Sequence, residues 1–374
     1  MDSVAVVLFH TLPTASGGFI GVATLNVEKT LNSLSLEMIE LLTPQLEAWE
    51  IDDQIKMVMF QSAGDKAFSA GGDIQSLYHS MVEHPKGPNP YADSFFESEY
   101  RLDYLIHTYP KPTIVWAHGF VMGGGLGVMG ACSLRIGTEK TRVAMPEITI
   151  GLFPDAGATW MCNQMETHWA YFLAWTGSQV NGPDAKHLHF VDHLIDYDLK
   201  SRFVEELQNG DWVSDVEARL MSLIEKFESE SQAMPERNLP RFDALVKEII
   251  DKCLQSENPV QTFSDSVERL KGDRWLEKAA ANFKGGSPTT AQIIHQQLQR
   301  SKTMSLKETF LFELIIAVQC SRHPDFVEGI RALLIDKDNK PDWAHAEMGR
   351  VPESWVDAHF EAPWHKHPLE DLIG

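Results

Sequence analysis

The hydrophobic pattern of the chain falls into two regimes. Residues 18–27 (GFIGVATLNV) and 55–61 (IKMVMFQ) are runs of β-branched and apolar side chains, and both read as strands. Between them Leu36, Ile39, Leu42, Leu46 and Trp49 recur at three- and four-residue steps, which puts them on one face of a helix over 35–49. Ser35 is its expected N-cap. Pro44 is expected to kink or interrupt it, because proline lacks an N–H and crowds the carbonyl one turn back. The alternation continues with a strand at 113–117 (TIVWA), a glycine-led helix from about 123, and strands at 133–137 and 142–145. Such alternation predicts an α/β fold with parallel pairing. From about residue 198 the pattern turns to helical periods at 199–228, 241–254 and 305–321, separated by polar stretches such as 229–240. The expected organisation is an α/β domain over 1–200 that carries the chemistry and a mainly helical region over 201–374. No repeat at solenoid spacing and no low-complexity tract interrupts this plan.

Composition narrows the partners more than the fold. Of 374 residues 43% are hydrophobic, enough for a sizeable core. The net charge of 32 − 53 = −21 repels phosphate backbones and anionic lipid surfaces, so neither nucleic acid nor a membrane is an expected partner. A small anionic ligand is still admissible, since local cations, N–H groups and helix N-termini outweigh a remote average. Cys132, Cys162, Cys253 and Cys320 are scattered and form no CxxC pair, which speaks against a disulfide framework or a zinc site. The N-terminal MDSVAVVLFHTLPT lacks both a basic n-region and an Arg-rich character, and cytoplasmic residence is the expectation. Pro112–Leu134 contains no Lys, Arg, Asp or Glu, but its glycines and His118 favour a buried strand and helix over a membrane span. His187, His189 and His193 in HLHFVDH, and His365 and His367 in the tail, come without supporting Cys or acidic spacing, so no metal is expected. No GxSxG elbow occurs, which removes the usual setting for a nucleophilic serine.

Three segments join glycines to candidate chemistry: AFSAGGDI (67–74), HGFVMGGGLGVMG (118–130) and MPEITIGLFPDAG (145–157). The second contains GxGxxG at Gly125, Gly127 and Gly130 between a strand and a helix, the setting of a dinucleotide-binding turn. Two features count against that reading. The strand feeding it is not the first, and no acid closes the next strand at the right distance, Glu139 coming too early and Glu147 following a proline. In their order and spacing the three segments together resemble the crotonase superfamily: its first oxyanion loop, its glycine-rich second loop, and the segment bearing its catalytic acid. EGIRALLIDKDNKPDW (328–343) resembles the C-terminal signature of the 3-hydroxyisobutyryl-CoA hydrolase branch of that superfamily. The resemblance is strong over residues 18–200, fades through the helical middle, and returns at this signature.

That resemblance implies a crotonase-like spiral of ββα turns with a helical C-terminal region completing an acyl-CoA site. Attack on a thioester carbonyl builds negative charge on oxygen, and each preorganised N–H aimed at it is worth roughly 3 kcal/mol. The family pattern assigns those donors to the backbone N–H groups of Gly72 and Gly124, the latter at a helix start where peptide dipoles favour an anion. Glu147 aligns with the catalytic glutamate and Asp155 with the aspartate of the hydrolase branch. Their apolar, glycine-rich surroundings predict raised and separated pKa values, one acid accepting a proton and the other donating it. Glu99, in FFESEYRLDYL, aligns with a glutamate that contacts substrate, although a helix-surface acid among Glu97 and Asp103 is the plainer reading. Arg331, Lys337 and Lys340 are candidate partners for the CoA phosphates, against a plain solvated face.

Hydratases of the superfamily place a second catalytic glutamate three residues after the oxyanion glycine, where this chain has Gly127. The implied reaction is therefore hydrolysis of a short acyl-CoA thioester, with 3-hydroxyisobutyryl-CoA of valine catabolism the implied substrate. Coenzyme A is then part of the substrate and no separate cofactor is implied. An enoyl-CoA hydratase or isomerase, or a catalytically silent crotonase-fold assembly subunit, are the alternatives, and a homo-oligomer is left open. Glu147 either attacks the carbonyl to form an anhydride or activates water, and the sequence admits both routes.

Overall fold

The apolar runs become strands that are covered on both sides. The computed structural model describes residues 5–373. Among them are ten strands: β1 (Val7–Pro13), β2 (Phe19–Leu25), β3 (Ile55–Ser62), β4 (Ala67–Ser69), β5 (Thr113–Ala117), β6 (Phe120–Met122), β7 (Leu134–Gly137), β8 (Arg142–Ala144), β9 (Val180–Asn181) and β10 (His193–Leu194). They form a six-stranded sheet in the order β1-β2-β3-β5-β7-β10 and a four-stranded sheet in the order β4-β6-β8-β9. Each successive pair, β3 with β4, β5 with β6 and β7 with β8, places its first strand in the large sheet and its second in the small one, beside the strands of the pair before. This stepwise repetition is the ββα spiral. Pairing in the large sheet is parallel except between β1 and β2.

The chain forms two compact units that interleave along the sequence. One comprises Met1–Gly72, Leu102–Val143 and Val180–Asn238; the other comprises Asp73–Arg101, Ala144–Gln179 and Leu239–Gly374. The helices after residue 200 are thus shared out: Lys200–Asn209 and Val216–Glu230 belong to the first unit, the later ones to the second. In the first unit Ile20, Val22, Met57, Met59, Ile114, Trp116 and Ile136 pack against Phe203, Leu207, Leu220, Ile224 and Phe227 of these two helices. The alternate residues Ala23, Leu25, Val58, Phe60, Val115 and Ala117 are buried as well. Two covered faces explain why these strands read as unbroken apolar runs. In the second unit the core is aromatic, with Phe172 stacked on Trp275 at 5.5 Å and Trp175 against Phe263 at 5.0 Å.

Two local expectations need correction. The helix Leu36–Ile51 starts at Ser35, whose hydroxyl accepts from Met38 N–H, but it runs through Pro44 without a break. Pro44 and Glu40, whose carbonyl loses its partner, lie on the exposed face, where solvent can take the place of the missing bond. The period at 199–228 is two helices, because the chain folds back at 210–215 to bury Trp212. Gly210 lies under that indole, where a Cβ would sit 2.4 Å from the ring. Val7–Pro13, for which no element was expected, forms the edge strand β1, antiparallel to β2.

Candidate active site

The first unit positions the glycine segments. The helix Gly123–Ala131 begins where expected, and Gly124 is buried in its first turn, where N–H groups have no partner within the helix. Gly125 faces β4 so closely that a Cβ there would stand 2.5 Å from Ser69 Cβ and 2.6 Å from its carbonyl oxygen. A glycine is therefore required for the helix to approach the segment leading to Gly72. That segment is pinned from the other side by Leu34, whose N–H donates to Gly71 O at 2.8 Å, with Leu34 and Gly72 forming a parallel bridge. Gly127 lies buried in the same helix, and no carboxylate stands at that position.

The second unit gathers carboxylates. Glu147 opens a short 3-10 turn, Glu147–Ile150, closed by Gly151 in a left-handed conformation at φ 74°. It is 5% exposed, and its Oε2 has no hydrogen-bond partner. Asp155 is 7% exposed and its Oδ2 accepts the Tyr100 hydroxyl at 2.6 Å. Glu99 lies on the helix Pro90–His107, but it is no surface acid: it is 3% exposed with Oε1 unpartnered. A fourth carboxylate, Glu313 on the helix Leu306–Cys320, is fully buried and accepts Gly157 N–H at 2.7 Å and Thr159 N–H at 2.9 Å.

Burial dominates the electrostatics of all four. It pushes Glu147 well above the usual carboxylate range, with the charge of Asp155 adding to the effect. Glu99 is raised well above that range by burial, then by the charges of Asp155 and Glu313. Glu313 is raised to about 8 by burial against the opposing hydrogen bonds of Thr159 and Gly157. Asp155 is raised only to about 6, because the Tyr100 hydroxyl and a backbone N–H support its charge against desolvation. The groups acting on one another here are acids, a phenol, the Thr159 side chain and backbone N–H groups. The cluster can hold and exchange protons, and it presents two bare carboxylate oxygens for a ligand to engage.

The enoyl-CoA hydratase/isomerase family pattern matches residues 20–360. The chain belongs to this family, the crotonase superfamily. Its similar relatives include proteins named 3-hydroxyisobutyryl-CoA hydrolase, mitochondrial: that of Danio rerio is 35% identical, with 92% of this chain and 88% of the relative covered. That of Homo sapiens is 34% identical with 92% and 87% covered. Among solved structures, a carnitinyl-CoA dehydratase from Mycobacterium thermoresistibile superposes with a TM-score of 0.84 at 29% identity, covering 99% of this chain and 100% of that one. An enoyl-CoA hydratase from Rhodobacter sphaeroides 2.4.1 gives 0.81 at 26%, covering 95% and 97%.

The crotonase fold disposes of the dinucleotide reading of Gly125, Gly127 and Gly130. The glycine-led helix follows β6 of the small sheet, and Gly125 serves its close packing on β4. Elsewhere, His193 pairs with Glu228 at 3.0 Å, and Arg331 is engaged by Glu328, Asp336 and Asp338. Arg331 is therefore committed to internal partners. Tyr100, Glu313 and Gln297, which donates to Pro154 O at 2.7 Å, are site-supporting residues that the sequence reading missed. Glu313 did leave a signal: it is the lone charge in the otherwise apolar run FLFELIIAV.

Proposed function

We propose that this protein hydrolyses a short acyl-CoA thioester, converting 3-hydroxyisobutyryl-CoA to 3-hydroxyisobutyrate and free CoA, a step of valine breakdown. The observation that carries the reading is Asp155, a buried carboxylate beside Glu147 whose ionised form is supported by the Tyr100 hydroxyl. The names of the sequence relatives point the same way. Two coupled acids in one desolvated cluster share protons unevenly. At rest the pair holds one proton, on Glu147, which has the higher affinity for it. In the reactive arrangement that proton has passed to Asp155 and Glu147 is ionised. Glu147 then either bonds to the thioester carbonyl carbon or takes a proton from the water that does. As the C–S bond breaks, the leaving thiolate receives the Asp155 proton, which is restored when water completes the hydrolysis. The N–H groups of Gly72 and Gly124 belong to the same proposal as donors to the oxyanion, and Glu99 as a contact to the acyl group.

A hydratase is the second reading, favoured by the names of the two solved structures. Gly127 opposes it, since water addition to a double bond in this superfamily uses a second glutamate at that place. No described helix is long and apolar enough to cross a membrane, and the four cysteines are unpaired and buried. We place the protein in a reducing, aqueous compartment, the cytoplasm, while its relatives are named mitochondrial. A free-thiol assay over a panel of acyl-CoA esters tests the proposal. Thiol release greatest with 3-hydroxyisobutyryl-CoA is expected. Loss of the crotonyl-CoA enone without thiol release would overturn it in favour of hydration.

A further inference from the structure

The turn that presents Asp155 is held from behind. Directly after Asp155 come two left-handed residues, Ala156 at φ 54° and Gly157 at φ 82°. For alanine that conformation costs on the order of 1 kcal/mol and persists only where neighbours impose it. The neighbours here are two fully or almost fully buried side chains from distant helices. Glu313 takes Gly157 N–H and Thr159 N–H, one on each carboxylate oxygen, at 2.7 and 2.9 Å. Gln297, on the helix Pro288–Arg300 and 1% exposed, donates through Nε2 to Pro154 O at 2.7 Å and to Thr159 Oγ1 at 2.6 Å. Residues on both sides of Asp155 are thereby gripped, while its carboxylate is met from the front by Tyr100 at 2.6 Å.

We infer that Glu313 and Gln297 form a positioning clamp that fixes the direction of the Asp155 carboxylate for proton exchange. The inference rests on the thioesterase reading and extends it to two residues that touch no reacting atom. A carboxylate is required at 313 because two N–H donors converge on it. A glutamine there accepts only one of them and turns an N–H₂ group toward the other. Gln297 is required as a donor, since both of its partners are oxygens. A clamp of this kind sets geometry at the transition state, so its loss lowers kcat with little effect on KM.

The test is a double-mutant cycle on the full-length protein, with thermal melts alongside. Glu313→Gln is expected to lower kcat for thiol release about 10- to 100-fold with KM within about threefold of native, and Gln297→Met about 3- to 10-fold. In an Asp155→Asn background both losses should shrink to less than about twofold, because the group being aimed is gone, whereas the drop in melting temperature should persist. Equal loss of kcat in the native and Asp155→Asn backgrounds would overturn the clamp and leave a purely structural role. If Glu313→Gln fails to fold, the Gln297→Met arm decides by the same criterion. A native enzyme that releases no thiol from any ester refutes the hydrolase reading and the clamp with it, a result distinct from equal losses in an active enzyme.

Discussion

Removing one hydroxyl should shift the acid limb of the rate profile without dismantling the site. Tyr100 is fully buried and its O–H donates to Asp155 Oδ2 at 2.6 Å, a bond that favours the ionised acid. A hydrogen bond to a charged group is worth about 1.5–3 kcal/mol, and one pKa unit is 1.36 kcal/mol. Tyr100→Phe should therefore raise the Asp155 ionisation from about 6 by about 1–2 units. The sign follows from the donor: without the O–H, the carboxylate loses support and the protonated acid does not. In a coupled cluster the shift appears in the lower macroscopic ionisation of the profile. The measurement is kcat/KM for thioester cleavage across pH in both proteins, with circular dichroism to confirm folding. An acid limb that moves by less than about 0.3 unit in an active, folded Tyr100→Phe variant would refute the assignment of that limb to Asp155 and the role of Tyr100 in setting it, given the one-unit minimum expected.

Other expectations are shorter to state. Glu147→Gln keeps shape but loses nucleophilicity and basicity, so turnover should fall by at least about 10²- to 10⁴-fold while CoA-ester binding is largely kept; an unchanged rate would remove Glu147 from the mechanism. Gly125→Ala drives a methyl group into Ser69, 2.5 Å from its Cβ, and should cost about 1–3 kcal/mol of stability together with activity, read by melts and the thiol assay. Asp155→Asn should lose about 10²- to 10⁴-fold in rate yet gain stability at alkaline pH. Its folded pKa of about 6 lies above the unfolded 3.8, so native stability is full below 3.8 and is lost as pH rises through 6. The difference of about 2.2 units corresponds to at most about 3 kcal/mol, and denaturation at pH 5 and pH 8 should show the gain of the amide growing between them.

What was legible in the sequence was local. Ser35 caps its helix, the glycine-led helix begins at Gly123 and the strand TIVWA spans Thr113–Ala117, because each depends on neighbours a few residues away. Glu147 and Asp155 were readable as buried acids from the apolar and glycine-rich residues around them. Their supporting groups were not. Tyr100 meets Asp155 across 55 positions and Glu313 meets Gly157 across 156, separations that no period or spacing encodes. Pro44 misled for the opposite reason. The cost of a lost helical bond depends on whether the freed carbonyl meets water, and only the folded chain shows that Glu40 lies outward.

The composition of the carboxylate cluster has a chemical logic of its own. Four buried acids would normally be paired with arginine or lysine, which would lower their pKa values and fix them as anions. Such pairing would make Glu147 a weak base. Here the support comes from neutral donors: one hydroxyl on Asp155, two N–H groups on Glu313. Neutral donors stabilise a charge without cancelling it, so desolvation remains the largest influence on each acid and the affinity for protons stays high. Asp155, with Tyr100 in front of it, ionises most readily, while Glu147 and Glu99 keep one oxygen each unengaged. An unpaired buried oxygen costs about 1–3 kcal/mol of folding stability. That cost is recovered only when a ligand supplies the missing donor, so on the proposed reading these oxygens are where substrate or water would bind, and the clamped Asp155 is the group through which the proton would pass to the leaving thiolate.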